Sequence, residues 1–310
     1  MEAILTSCKN DTMMNSSKLV SLLHYKTMHQ HFEVAAGSIL GQNHRRVNQN
    51  NQDAWASLAL DQATIAVVCD GCGSRPKSEV GAQLGAQLTV HALAQLVAEE
   101  RPEDELFWQM LNKRLLGGMQ TLQKQLGADS QRLVEYLLFT LMGCLVTPET
   151  TWIFGLGDGV FVINEEFHRI GPFTNNAPPY LAYSLLWDTE KSPDPFQLQI
   201  YAQHPTEQVQ SVLIGSDGVG DLVDIATDYL PGKAEPVGPL NQFWRCDRYF
   251  QNPDQVRRRL AQINREVIQP DWQTRQVRKI PGLLPDDTTL ISIRRKGTKE
   301  GDSDARCNCR

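Results

Sequence analysis

The stretch TIAVVCDGCGSRPKSEVG, residues 64–81, decides how the chain is read. Its first half, Ile65-Ala66-Val67-Val68-Cys69, is a short apolar run rich in β-branched residues and closed by glycines, the pattern of a buried strand. The run ends on Asp70, and Gly71 and Gly73 then force a tight turn. Beyond the turn Val80, Leu84, Leu88, Ala92 and Leu96 recur at helical spacing and predict a helix over about Ser78–Ala98. A carboxylate where a buried strand leaves the core is costly unless something neutralises it, and a metal ion would do so. The plainer reading is an Asp-Gly turn. Which holds depends on whether the chain supplies more carboxylates of the same kind.

It does. GQNHRRVNQNNQDAW, residues 41–55, ends on Asp53 just before an apolar strand over Ala54–Leu60. Gly157-Asp158-Gly159 interrupts two strand patterns, Thr151–Leu156 and Val160–Ile163. Ser216-Asp217-Gly218 follows a strand expected over Gln208–Gly215. Pro285-Asp286-Asp287 precedes the last strand, Thr288–Arg294. One such acid would be a turn residue. Asp53, Asp70, Asp158, Asp217 and Asp287, all at strand ends, imply convergence on one rim of a β core. All are hard oxygen donors without a consistent His or Cys beside them, which favours Mg²⁺ or Mn²⁺ over zinc. Two such ions close together would hold a hydroxide and clamp a phosphate for in-line displacement. Arg45 and Arg46, in the loop before Asp53, offer the planar fork that suits phosphate; they also read as solvated loop residues. No glycine-rich loop with Lys is present for nucleotide chemistry.

The remaining sequence is ordinary globular material. Of 310 residues 41% are hydrophobic and 21% charged, enough for one large domain or two small ones. A net charge of −6 gives no basic footprint for nucleic acid. The seven cysteines lack zinc-finger spacing. The early apolar run Leu19–Leu23 is short and broken by Ser21, and no run reaches membrane-spanning length. These features fit a cytoplasmic protein with free thiols, without nucleic-acid or membrane partners. Residues 1–32 read as an extension, with His24, His29 and His31 as exposed histidines. Residues 33–295 read as the folded domain, and 296–310 as a charged, disordered tail carrying free Cys307 and Cys309. A second helix is expected over Glu105–Leu126, its stripe made by Leu106, Met110, Leu115, Leu122 and Leu126. Strand Phe139–Val146 begins an antiparallel meander. Gly171–Pro195 reads as a surface flap, and Tyr229–Asn252 as loop with aromatic anchors. Asn252-Pro253 starts a third helix with Val256, Leu260, Ile263 and Val267 inward and Arg257–Arg259 on the solvated face.

The order of the acidic motifs resembles the metal-dependent serine/threonine phosphatases of the protein phosphatase 2C family, in a bacterial-type variant. NNQDAW, VVCDGCGS, GLGDGVFVI, VLIGSDGVGDLV and PDDTTLISI are each similar to a family motif and stand in the family's order from about Ala35 to Arg294. The resemblance implies an α+β fold, a four-layer α-β-β-α sandwich of two central antiparallel sheets flanked by helices. It implies Asp70 bridging two Mn²⁺ or Mg²⁺ ions, with Asp217 and Asp287 completing one ion's shell and these three serving as the catalytic acids. The Gly71 carbonyl and the Gln52–Asp53 region would serve the other ion. Asp158 matches the residue that holds a third, weaker ion in many members. Two departures stand out. Gln52 replaces a glutamate common in the family, and Cys72 replaces a histidine that some eukaryotic members carry as a proposed general acid. A neutral thiol is a poor acid, so metal-bound water would have to protonate the leaving group. The implied substrate is a phosphoprotein made by a Ser/Thr kinase. The rival readings are a non-catalytic phosphoprotein-binding scaffold and a small-molecule phosphomonoesterase.

Overall fold

The computed structural model describes residues 28–127, 129–187, 192, 194–273 and 275–297. The expectations for His24, the His29 side chain, Cys307 and Cys309 lie outside these residues. In chain order the strands are β1 Phe32–Ile39, β2 Asp53–Ala59, β3 Thr64–Gly71, β4 Phe139–Val146, β5 Thr150–Leu156, β6 Gly159–Ile163, β7 Glu166–Ile170, β8 Gln199–Pro205, β9 Ser211–Gly215, β10 Val267–Asp271, β11 Gln276–Ile280 and β12 Thr288–Arg295. The helices named below are α1 Gln42–Val47, α2 Ser78–Ala98, α3 Glu105–Gln125, α4 Ser130–Tyr136, α5 Gly218–Asp224 and α6 Gln255–Ile263.

The strands form two five-stranded sheets, ordered β1-β12-β9-β6-β7 and β2-β3-β4-β5-β8, and a separate ribbon β10-β11. Every pairing is antiparallel. Alternation along β3 shows how the layers stack. Ala66 and Val68 join Met142, Ile214, Ile291 and Ile293 in a core between the sheets. Ile65, Val67 and Cys69 point the other way, into a core shared with Ala82, Leu93 and Leu111 of α2 and α3. A third core, with Leu213, Val219, Leu260 and Leu290, lies under α5 and α6. Period-2 strands buried on both faces therefore give the four-layer α+β sandwich. β3 reads as a continuous apolar run because neither of its faces meets water.

The small residues of α2 decide its seat. The face on the sheet is Gly81, Ala82, Gly85, Ala86 and Thr89, while Val80, Leu84 and Leu88 are only half-buried. A Cβ at Gly81 would lie 2.0 Å from the Tyr136 carbonyl oxygen, and one at Gly85 2.3 Å from the Phe139 ring. The helix backbone approaches the sheet closely because those positions carry no side chain.

Other sequence expectations shift. On α3 the buried positions are Phe107, Trp108, Leu111, Leu115 and Met119, and Leu106 is 55% exposed. Leu115 is buried as expected and Met110 and Leu122 pack on the same core, but the stripe is centred on the aromatic pair Phe107–Trp108, with Trp108 against Trp152 and Phe154. Helix α6 begins two residues beyond Pro253 and stops at Ile263; Val267 starts strand β10. Arg259, expected on the solvated face, is buried: it pairs with Glu235 (2.5 Å) and donates to the carbonyls of Pro236 and Val237. β9 starts at Ser211, after a single 3₁₀ turn at Thr206–Gln208. The Gly171–Pro195 segment is not wholly a surface flap, since Tyr180, Leu181 and Ala182 are buried in the α2–α3 core. Phe243, Trp244 and Tyr249 are buried anchors, carried on two single helical turns, Gln242–Arg245 and Arg248–Gln251. Among the described residues no helix is long and apolar enough to cross a membrane.

Candidate metal centre

The acids come together because the sheets bring the ends of distant strands to one rim. Asp53 opens β2 directly opposite Asp70 in the β2–β3 register, so two carboxylates face each other across adjacent strands. Asp158 sits in the two-residue break between β5 and β6, flanked by Gly157 (φ +94°) and Gly159 (φ +148°). Both glycines adopt backbone that side chains disfavour, which lets the chain pass from one sheet to the other within so short a break. Asp217 lies where β9 turns into α5, and its carboxyl interacts with that of Asp70. Asp286 and Asp287 lead into β12.

The electrostatics divide these acids into two groups. Asp70 is held well above the usual carboxylate range, first by burial and then by the charges of Asp53, Asp217, Asp286 and Asp158. Asp217 is pushed up to about 6, by burial, Asp286 and Asp158. Burial also raises Asp158, Asp286 and Asp221, and Asp286 adds to the shift of Asp158 and Asp221. Asp286 therefore faces the rim made by Asp70, Asp158, Asp217 and Asp221. Asp53 lies beneath it, raised to about 8 by burial and by Asp287. Carboxylates crowded at a site they cannot all ionise are the environment a bound cation would relieve.

Asp287 stands differently. Its Oδ1 accepts from the Gly41 backbone N–H (2.7 Å). Its Oδ2 accepts from the Gln52 backbone N–H (2.6 Å) and lies 2.9 Å from His44 Nδ1. Asp287 is only 2% exposed, and both its oxygens are taken by donors from the α1 region and the Gln52 loop. Asp286 is the exposed member of the pair, and its Oδ1 accepts only from the Asp287 N–H (2.8 Å). The site thus brings in two residues that sequence reasoning passed over, Asp286 and His44. His44, Asp286 and Asp287 offer ligand atoms that all lie within 4.8 Å of one another. No local signal marks His44, because its partner is 243 positions away.

Other expected residues fall as follows. Ser216 Oγ donates to Asp53 Oδ2 (2.7 Å) and accepts from the Thr289 N–H (3.1 Å), tying β9, β2 and β12 together beneath the rim. Gly71 approaches the Gln52 carbonyl so closely that a Cβ would lie 2.8 Å from it. Gln52 is 1% exposed; its Nε2 donates to the Arg75 carbonyl (2.6 Å) and its Oε1 has no hydrogen-bond partner among the described residues. Asp53 Oδ1 is likewise buried without a partner. Orphaned, buried oxygen acceptors beside a carboxylate rim suit a divalent ion with oxygen ligands. Cys72 pairs with Ser74 Oγ at 3.2 Å. Arg45 and Arg46 are on α1, exposed, and neither makes an ion pair with another described residue. Arg169 comes near the rim instead, pairing with Asp224 at 3.2 Å and packing over Gly220.

The family model described as protein phosphatase 2C matches residues 40–263. The chain belongs to the protein phosphatase 2C family. Among solved structures, the catalytic domain of the serine/threonine phosphatase PstP with two manganese ions is 17% identical, with a TM-score of 0.48 over 86% of this chain and 99% of that one. The Mycobacterium tuberculosis phosphatase PstP/Ppp is 15% identical, with a TM-score of 0.46 over 86% of this chain and 100% of that one. A bacterial serine phosphatase is 16% identical, with a TM-score of 0.44 over 87% of this chain and 100% of that one. No curated protein matches the sequence. The two sheets and their flanking helices are this chain's form of the protein phosphatase 2C sandwich.

Proposed function

We propose that this chain is a metal-dependent phosphatase that hydrolyses phosphoserine and phosphothreonine on proteins. One observation carries the reading: carboxylates from four separate strand ends converge on one rim and raise one another's pKa, with Asp53, whose buried Oδ1 has no hydrogen-bond partner among the described residues, opposite Asp70. A binding module has little use for acids packed at such electrostatic cost. Asp70, Asp217 and Asp286 would hold two divalent ions, with the Gly71 carbonyl, Asp53 and Gln52 on the inner side. Asp158 would hold a third, weaker ion at the edge. Asp287, expected from the sequence as a ligand and catalytic acid, is proposed instead to clamp Gly41, His44 and Gln52 behind the rim. The donor set is chiefly oxygen, which suits Mn²⁺ or Mg²⁺.

When bound, such ions lower the pKa of water and neutralise charge on phosphoryl oxygens. The chain's own part is to position. Asp70 and Asp217 orient toward each other, Ser216 fixes Asp53 beneath them, and the Asp287 clamp sets the height of the Gln52 loop. Arg45 and Arg46, exposed and without an ion pair to another described residue, would bind the phosphate. Residues 33–295 would form the catalytic domain. Cys69, Cys72 and Cys144 form no disulfide with another described residue, and a reducing, cytoplasmic setting is part of this reading. The test is phosphate release from an aryl phosphate and from a phosphothreonine peptide, each with Mn²⁺ and with EDTA. Release from both only with Mn²⁺ is expected; release from the aryl phosphate alone would favour a small-molecule substrate.

A further inference from the structure

Ribbon β10–β11 stands apart from both sheets. Between Ile268 and Lys279 every described residue is exposed. Ile268 pairs with Lys279 and Pro270 with Val277, so these four share one face of the ribbon. Ile268 is 64% exposed, Val277 66% and Trp272, at the tip, 84%. Single exposed apolar residues are normal, but several gathered on a projecting two-stranded ribbon mark an interaction surface. The same stretch holds three cations, Arg275, Arg278 and Lys279, against one acid, Asp271, in a chain of net charge −6. Lys279 pairs with Glu266 (2.8 Å), while Arg275 and Arg278 make no ion pair with another described residue.

The ribbon is also tied to the acidic rim. Its base rests on the turn at Gly232, where a Cβ would lie 3.1 Å from Val267 Cγ1. Five residues, Pro281–Pro285, join Ile280 to Asp286, so the end of β11 lies within about 20 Å of the rim by chain length alone.

We propose that the β10–β11 ribbon is a docking arm for acidic phosphoprotein substrates, an inference that rests on the phosphatase reading. Charge complementarity selects the occupant. A phosphorylated acidic protein is repelled by a chain of net charge −6, and the cationic ribbon supplies the local attraction. Trp and Arg together are the residues that dominate protein contacts. Three cations fall short of the clusters of about 4–8 that hold a protein on anionic lipid. Ribbon-to-ribbon pairing of two copies would set like charges against each other.

The test uses the full chain and phosphorylated casein as the acidic phosphoprotein probe. Binding to immobilised phosphocasein is measured in EDTA, which holds turnover off, for wild type, Trp272→Ala/Val277→Ser and Arg275→Glu/Arg278→Glu. Turnover of an aryl phosphate with Mn²⁺ is measured in parallel. Both variants should bind phosphocasein about tenfold more weakly and keep aryl phosphate turnover within about twofold of wild type. Unchanged phosphocasein binding in both variants would overturn the proposal. So would loss of wild-type self-association in the variants, or loss of wild-type binding to phosphatidylserine vesicles with phosphocasein binding unaltered. Absence of aryl phosphate turnover in wild type would strike the phosphatase reading, while the binding comparison would still decide the docking arm.

Discussion

Two adjacent aspartates should behave in opposite ways when each is replaced by alanine. In Asp287→Ala the buried N–H groups of Gly41 and Gln52 lose their acceptor, and His44 Nδ1 loses its partner. Leaving a buried donor unsatisfied costs about 1–3 kcal/mol. Two such donors therefore cost about 2–6 kcal/mol. Relief of the Asp53–Asp287 repulsion offsets part of this. A net loss of about 3 kcal/mol should lower Tm by about 6–12 °C in a domain of this size. In Asp286→Ala only one hydrogen bond, from the Asp287 N–H, is lost, and a like charge leaves the rim. Its Tm in EDTA should match or exceed that of wild type. Metal separates the two further. An ion present at about 100 times its Kd stabilises the fold by about 2.7 kcal/mol. Wild type should therefore melt higher with Mn²⁺; Asp286→Ala should lose half or more of that rise, whereas folded Asp287→Ala should keep most of it. The assay is thermal unfolding followed by circular dichroism, in EDTA and in Mn²⁺. The assignment fails if Asp287→Ala melts like wild type but gains nothing from Mn²⁺, while Asp286→Ala retains the full gain.

Three further outcomes are expected. Asp158→Ala should leave two tight ions bound, counted by calorimetry, while slowing turnover; loss of all binding would place Asp158 in the main pair. Alanine at the phosphate-binding member of Arg45 and Arg46 should lower kcat/KM for a phosphopeptide about 30-fold, the equivalent of losing a charged hydrogen bond of about 2 kcal/mol, with metal affinity retained. Lysine should restore only part of it, and wild-type kcat/KM in both single variants would place the phosphate ligand elsewhere, with Arg169 the next to test. The metal-free protein should lose stability as pH rises from about 4 to about 8. The folded state holds Asp53 protonated up to about 8 and Asp217 up to about 6, so it binds more protons than the unfolded chain across that window. Tm in EDTA should be higher at pH 5 than at pH 7.5, and Mn²⁺ at pH 7.5 should raise it and release protons; a flat or rising EDTA profile would mean the acids are not crowded as described.

Much of the fold was legible in the sequence because strands buried on both faces write themselves as apolar runs, as Ile65–Cys69 does. The rim was legible because Asp70, Asp158 and Asp217 each follow or interrupt such a run beside a glycine. What stayed hidden depends on partners far along the chain. Nothing local distinguishes Asp286 from Asp287; what sets Asp287 apart is the N–H groups of Gly41 and Gln52, more than 230 positions away. His44 is hidden for the same reason. Arg259 reads as solvent-facing until Glu235 and two carbonyls supply its partners. The leucine stripes marked only part of the buried faces of α2 and α3: Ala92, Leu96 and Leu115 are buried as expected, while close backbone approach adds Gly and Ala on one helix and an aromatic cluster adds Phe107 and Trp108 on the other.

The central claim is that the acidic rim holds ions that make this chain a protein phosphatase. The most direct measurement is phosphate release from a phosphothreonine peptide by wild type and Asp70→Asn, with Mn²⁺ and with EDTA, alongside their circular dichroism spectra. The account predicts release by wild type only with Mn²⁺, and release lowered by about 100-fold or more in a folded Asp70→Asn. Equal release by Asp70→Asn, or release by wild type undiminished in EDTA, would contradict it.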